Sequence, residues 1–79
     1  MKEKVLEVII ERASEILKLD PETLNAETLF ADLNMKSLNY AQMTTHLEDE
    51  YDIEVPYMNF KRCKSFYEAA EYIVELLEE

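Results

Sequence analysis

The sequence predicts an all-α fold, a four-helix bundle with three main helices, one short third helix and a long first loop. Apolar residues recur at helical spacing in three separate segments. The alternation expected of a strand is confined to residues 53–55, which is too short to compete with that pattern. Hydrophobic residues make up 48% of the 79 positions, enough for one packed core. We therefore expect residues 1–79 to form a single domain.

The first helix is predicted over about residues 3–18. Its apolar side chains fall on one arc of about 140° around the helix axis, with Val8 outside it. The residues on the arc are Val5, Leu6, Ile9, Ile10, Ala13, Ile16 and Leu17. The pair Asp20–Pro21 is expected to stop this helix, with Asp20 capping a short turn that has proline at its first position.

Residues 19–36 form the long first loop. It carries four large apolar residues, Leu24, Leu29, Phe30 and Leu33, so we expect it to pack on the core. A long loop with its own apolar anchors is often functional.

The second helix is predicted over residues 37–51, with Ser37 as its N-cap. One face should enter the core through Tyr40, Met43, Leu47 and Tyr51. A second stripe, Leu38, Ala41 and Thr45, lies on roughly the opposite side and should be exposed. This stripe is either a surface on which partners dock or an ordinary exposed leucine with small neighbours.

The C-terminal part should contain two more helices. Pro56 is expected to open a short helical turn over residues 57–62. Ser65, followed three residues later by Glu68, is a capping box that should begin the last helix over residues 65–78. The core face of that helix comprises Phe66, Ala69, Ala70, Ile73, Val74 and Leu77.

Composition excludes several classes of function. A formal charge of −10 disfavours nucleic acid as a partner. No segment approaches the roughly 20 apolar residues of a membrane span. Without glycine the chain lacks the usual phosphate-binding loops. One cysteine and one histidine predict neither a disulfide nor a metal site, and no catalytic constellation is evident. We expect a non-catalytic monomer in a reducing compartment such as the cytoplasm.

Charge placement on the second helix opposes the helix dipole. Lys36 stands at its N-terminus, and Glu48, Asp49 and Glu50 stand near its C-terminus. The acidic end is either simply solvated or part of a docking surface. The lysine is explained if an anion is held at the helix start.

Two segments resemble the acyl carrier protein family. They are Asp32-Leu33-Asn34-Met35-Lys36-Ser37-Leu38 and the run from Leu47 to Pro56, LEDEYDIEVP. The closing Ala69-Ala70-Glu71-Tyr72-Ile73 is similar to the last helix of that family. The resemblance covers nearly the whole chain and implies an acyl-carrier-like four-helix bundle, a single carrier domain.

The resemblance also implies a function. In this family a serine in an Asp-Ser-Leu motif receives 4′-phosphopantetheine from coenzyme A, and the thiol of that arm carries acyl groups as thioesters. By resemblance that serine is Ser37. Because Lys36 puts a cation where the bare helix disfavours one, we further expect it to contact the phosphate of the arm. The partners implied are a phosphopantetheinyl transferase and acyl-transferring or acyl-modifying enzymes of fatty-acid, polyketide or related biosynthesis. Their docking residues are expected to be Leu38, Ala41, Gln42, Thr45, Glu48 and Asp49.

The sequence departs from the family pattern at two positions. Asn34 replaces the usual glycine, and Lys36 replaces the usual aspartate. Asparagine tolerates a positive φ better than most residues, so the turn is expected to survive. Lys36 favours a specialised carrier and is explained either by the arm's phosphate or by repulsion of the wrong partners. The alternative is an unmodified, carrier-like acidic adaptor that binds partners through the second helix.

Two further side chains are expected to be ordinary core or surface residues. Cys63 corresponds to a core aliphatic residue in the family, so we expect a buried small hydrophobe rather than a reactive thiol. His46 is expected on the surface of the second helix.

Overall fold

Four α-helices make up most of the chain in a computed structural model, which describes residues 2–78. They are α1 (Lys2–Leu17), α2 (Ser37–Tyr51), α3 (Tyr57–Lys61) and α4 (Phe66–Glu78). Two 3₁₀ helices, Pro21–Thr23 and Phe30–Leu33, lie in the loop between α1 and α2. In this part of the chain there is no strand, only an isolated bridge between Leu29 and Ser65. The all-α prediction is confirmed.

One core holds the helices together. α1 packs mainly against α4 and also against α2, while α3 packs against α2. Tyr40, Met43 and Leu47 are buried as expected, whereas Tyr51 at the end of that stripe is half-buried. The other buried apolar residues are Val5, Ile9, Ala13, Leu24, Phe30, Val55, Phe60, Phe66, Ala69, Ala70 and Ile73. The apolar stripes predicted for α1, α2 and α4 therefore do face this core.

The end of α1 lies within one residue of the predicted position, but the residue that stops the helix is not the predicted one. The helix ends at Leu17 because Lys18 adopts a left-handed conformation, with φ 58°. The N–H of Leu19 then donates to the carbonyl of Ser14 at 2.9 Å, the longer hydrogen bond of a Schellman C-cap. Asp20 acts after this stop. Its carboxylate accepts the N–H of Glu22 at 2.9 Å, and so caps the proline-led turn as predicted.

The long loop is attached to the start of α4. The N–H of Phe30 donates to the carbonyl of Lys64 at 2.8 Å, and the N–H of Tyr67 donates to the carbonyl of Ala26 at 2.9 Å. Leu24 and Phe30 are buried and Leu33 is half-buried, which confirms the expected packing on the core. Leu29 is the exception: it is 46% exposed, because its backbone pairs with Ser65 while its side chain faces outward.

The capping box of α4 is shifted by one residue from the predicted arrangement. The hydroxyl of Ser65 accepts the N–H of Glu68 at 3.3 Å, as expected. The carboxylate of Glu68, however, reaches back to the N–H of Lys64 at 3.3 Å and not to that of Ser65. α3 and α4 each differ from the predicted range by one residue, since they span 57–61 and 66–78.

Cys63 is half-buried, so it is neither a fully buried core residue nor a freely exposed thiol. Burial, together with the nearby negative charge of Glu68, raises the pKa of its thiol to about 11. The thiol is therefore neutral near pH 7, as expected of an unreactive small hydrophobe.

None of the helices within residues 2–78 combines the length and the hydrophobicity needed to cross a membrane.

Candidate functional site

The segment before α2 turns sharply at Asn34. The 3₁₀ helix Phe30–Leu33 ends there, and Asn34 adopts φ 53° and ψ 42°, the left-handed region. Asparagine enters this region more readily than most residues with a Cβ atom. The turn expected in place of a family glycine is therefore present, and it directs the chain into the start of α2.

Ser37 is not the N-cap of α2, contrary to the sequence prediction. The N-cap is Lys36, whose backbone is extended, and Ser37 is the first helical residue. The carbonyl of Lys36 accepts the N–H groups of Asn39 and Tyr40 at 2.9 and 3.2 Å. A lysine side chain has no hydrogen-bond acceptor, so it cannot cap the helix itself. Instead, the side-chain oxygen of Asn39 accepts the backbone N–H of Lys36 at 2.9 Å.

Because Ser37 is not the N-cap, its hydroxyl is not engaged with the backbone of α2. The side chain is exposed, and within residues 2–78 its Oγ makes no hydrogen bond. An N-cap serine would have its oxygen engaged with a backbone N–H of the first turn. The hydroxyl of Ser37 instead stands at the start of a 15-residue helix, open to an approaching enzyme.

Lys36 contributes an exposed positive charge beside that hydroxyl. In the described part of the chain one ion pair forms, between Lys2 and Glu71, and Lys36 takes part in none. The first N–H groups of a helix lack intrahelical partners and favour anions. An exposed hydroxyl, these N–H groups and an unpaired ammonium fit a phosphodiester formed on Ser37.

A groove runs along the exposed side of α2 next to this site. Its volume is about 350 Å³. Five of the six predicted docking residues line it, namely Leu38, Ala41, Gln42, Thr45 and Asp49. The other two lining residues are Arg12 of α1 and His46 of α2. Leu38 is 67% exposed, the largest exposure recorded for a large apolar residue here. The second stripe of α2 therefore lies open, beside Ser37, as predicted.

Glu48 is the predicted docking residue that lies apart from the groove. It is half-buried, and its carboxylate accepts the N–H of Val55 at 2.9 Å. Val55 is only 4% exposed, so this N–H has little access to water. Glu48 thus ties the end of α2 to the segment that leads into α3.

Three residues near the site were not foreseen. Arg12 reaches the groove from α1, and its Nε is buried without a hydrogen-bond partner in residues 2–78. His46 is half-buried on the groove wall rather than simply on the surface. Tyr57 of α3 donates its hydroxyl to the carbonyl of Ser37 at 3.3 Å. Helical spacing within one segment carries no information about such contacts between segments.

Comparison with known proteins identifies the family of the chain. The family model described as "Phosphopantetheine attachment site" matches residues 7–73. An acyl carrier protein of Bdellovibrio bacteriovorus is 31% identical over 71 residues, which cover 89% of this chain and 86% of that protein. The chloroplastic acyl carrier protein SF2 of Brassica campestris is 36% identical over 74 residues, or 87% of this chain. This chain spans about half of that relative, 55% of its length.

A solved structure has the same fold. It is a free-standing peptidyl carrier protein from an uncharacterised secondary metabolic pathway of Acinetobacter baumannii. The TM-score is 0.86, with 94% of this chain and 92% of that chain covered, at 20% sequence identity. Proteins of this kind are non-catalytic carriers, and their covalently attached group is 4′-phosphopantetheine. By the family model and by its relatives, the chain belongs to the acyl carrier protein family.

Proposed function

We propose that Ser37 is the attachment residue and that the chain carries acyl groups as thioesters on a 4′-phosphopantetheine arm. The observation that carries this proposal is the exposed, unbonded hydroxyl of Ser37 at the start of α2. In the attachment step Ser37 Oγ forms a bond to the phosphorus of the pantetheine half of coenzyme A. The pyrophosphate bond breaks, adenosine 3′,5′-bisphosphate leaves, and the hydroxyl proton passes to a base of the transferase.

Two neighbours have proposed roles toward that group. Lys36 contacts the phosphate, supported by its unpaired charge next to the hydroxyl. Partner enzymes of fatty-acid, polyketide or related biosynthesis dock on the groove and on α2 around it. This docking role is supported by the exposure of Leu38 and by the convergence of Ala41, Gln42, Thr45 and Asp49. Glu48 belongs to the same proposed surface, although one carboxylate oxygen is engaged with Val55.

We place this activity in a single-domain monomer in the cytoplasm. The charge of −10 opposes self-association of identical chains, and a lone cysteine suits a reducing compartment.

The test is mass spectrometry of the intact protein after incubation with coenzyme A and a broad-specificity phosphopantetheinyl transferase. We expect a mass increase of one arm in the unaltered chain and in Thr23→Ala, which removes an exposed hydroxyl outside the proposed docking surface. Ser37→Ala should gain nothing. An arm on Ser37→Ala would assign attachment to another residue.

The second candidate is the unmodified acidic adaptor, which is favoured by the replacement of the family aspartate by Lys36. It predicts no mass increase with any of several transferases, while the groove on α2 still binds partner proteins.

A further inference from the structure

The groove on α2 contains a cation that the rest of the fold leaves without a partner. Arg12 belongs to α1, yet its side chain lines the groove together with Leu38, Ala41 and Asp49 of α2. Its Nε is buried and has no hydrogen-bond partner within residues 2–78. A buried N–H of a charged group that lacks an acceptor costs more free energy than a neutral one. No acceptor in the described chain offsets this cost, so we looked for one in a docked partner.

Negative charge is sparse in this groove, although the protein as a whole is acidic. The chain has 18 Asp and Glu residues, but none of them lies between Ser37 and Leu47. Among the residues that line the groove Asp49 alone is acidic, and it forms no ion pair with Arg12. At the Ser37 end, the exposed Lys36 adds a further positive charge.

A docked partner responds to these nearby charges more than to the net charge of −10. At physiological ionic strength the Debye length is about 8 Å, so more distant exposed carboxylates are largely screened. The side chains within that range of a ligand in the groove include the guanidinium of Arg12, which lines it. A carboxylate is the group that a guanidinium binds most strongly, through charge-assisted hydrogen bonds.

The groove also offers apolar surface next to this cation. Leu38 is 67% exposed, and Ala41 follows it by three residues on the same side of α2. Apolar side chains at that spacing receive the apolar face of an amphipathic segment. The combination fits a partner segment that places an apolar side chain beside an Asp or Glu.

We propose that partner enzymes dock on this carrier through an acidic amphipathic segment. An apolar side chain of the segment lies on Leu38, and a carboxylate of the segment binds the guanidinium of Arg12. Arg12 is therefore a specificity-determining residue, which favours acidic docking surfaces over basic ones. The inference rests on the proposed docking role of the groove on α2, and it names the chemistry of the partner.

The experiment uses two synthetic helical peptides as probes of the unmodified protein. They share one leucine-bearing face and differ only in carrying glutamates or lysines beside it. Amide shifts of the ¹⁵N-labelled protein and the side-chain Nε–Hε signal of Arg12 follow each titration. We expect the glutamate peptide to move the amides of residues 38–49 and the Arg12 signal in a saturable way. The lysine peptide should instead move amides near the exposed glutamates of α4.

Charge-matched variants test the role of Arg12. Arg12→Gln should weaken binding of the glutamate peptide about tenfold, because the charge-assisted contact is lost. Lys4→Gln removes the same charge from an exposed position of α1 outside the groove, and should change the affinity less than twofold. Arg12→Lys keeps the charge without the planar fork and should fall between them. Asp49→Asn should strengthen binding, since it removes the carboxylate of the groove.

Three outcomes would overturn the inference. One is a groove that prefers the lysine peptide, and another is an equal loss of affinity in Arg12→Gln and Lys4→Gln. The third is a glutamate peptide that moves neither the groove amides nor the Arg12 signal of the unaltered protein, a readout that does not depend on how any variant folds. None of these outcomes bears on attachment, because the titrated protein carries no arm. Failure of attachment appears separately, as the absence of a mass increase with coenzyme A and a transferase.

Discussion

Asn34 and Lys18 adopt nearly the same left-handed backbone, with φ 53° and φ 58°, yet only Asn34 was predicted from the sequence. Asparagine in a slot that usually holds glycine is a recognisable signal for this conformation. Lysine has no such preference, so the end of α1 was assigned instead to the Asp20–Pro21 pair. Left-handed residues outside the Gly, Asn and Asp group are set by tertiary packing, which a single sequence does not display.

Ser37 shows the same limit of sequence-based prediction at the candidate site. Its position at the start of α2 followed from the pattern and from the family resemblance, and the structure places it there. Its expected role as N-cap was wrong because Lys36 is extended and Asn39 caps it. Statistical preference favours serine as an N-cap over lysine, but the backbone angles decide the matter.

Lys36 provides a test at the scale of one residue. In protein carrying the arm, Lys36→Asp should change the ³¹P chemical shift of the phosphodiester and increase the mobility of the arm, because attraction becomes repulsion. The interaction is exposed and should be worth no more than about 1 kcal/mol. The control is Lys4→Asp, which changes net charge equally on α1. Identical spectra for the unaltered protein and Lys36→Asp would show that the lysine does not contact the phosphate.

At the scale of elements, the helices were predictable and their connections were not. The apolar periodicity placed α1, α2 and α4 within about one residue of their observed ends, because burial of one stripe is a property of the segment itself. The loop between α1 and α2 contains two 3₁₀ helices and hydrogen bonds to the start of α4. These depend on partners more than thirty residues away, and the exposure of Leu29 follows from them.

The link from Glu48 to Val55 is the element-scale contact with the clearest energetic consequence. Glu48→Ala leaves the buried N–H of Val55 without a partner and should lower the free energy of unfolding by about 2 kcal/mol. Urea denaturation of the unmodified protein measures this. Glu50→Ala, an exposed residue of the same helix, is the control and should change little. Equal stability of the two variants would contradict a structural role for Glu48.

Glu48→Gln separates stability from docking. The amide oxygen of glutamine can still accept the N–H of Val55, so most of the stability should be kept while the negative charge is lost. A partner that requires the charge of Glu48 would therefore bind Glu48→Gln more weakly, although the variant is folded.

At the scale of the whole molecule, negative charge is in excess and little of it is paired. The formal charge is −10, and residues 2–78 contain one ion pair, Lys2 with Glu71 at 3.4 Å. Repulsion among the exposed carboxylates opposes the folded state and is screened by salt. The excess of negative charge is evident from composition alone. That Lys61, Arg62 and Lys64 line one pocket with Phe30 and Tyr40 is evident only once the loop, α2 and α3 are brought together.

This balance predicts that salt stabilises the protein. Raising NaCl from 10 to 300 mM should raise the melting temperature by about 5 °C, the shift expected if roughly 1 kcal/mol of repulsion is relieved in a domain of this size. Circular dichroism at 222 nm measures the transition. Sucrose at matched osmolarity is the control, since it leaves charge repulsion unscreened. A melting temperature that is insensitive to NaCl would mean that the carboxylates are spaced too widely to repel.

The hydrogen bonds between the long loop and the start of α4 also bear on the order of events during synthesis. Three backbone bonds join residues 26–30 to residues 64–67, so the loop that leads into Ser37 is completed only when the C-terminal helix is in place. A nascent chain whose last helix is still inside the ribosome lacks these bonds and the buried partner of Phe30. The loop before Ser37 can therefore complete these bonds only after α4 has left the ribosome, and a transferase that needs the ordered loop would act only after that point.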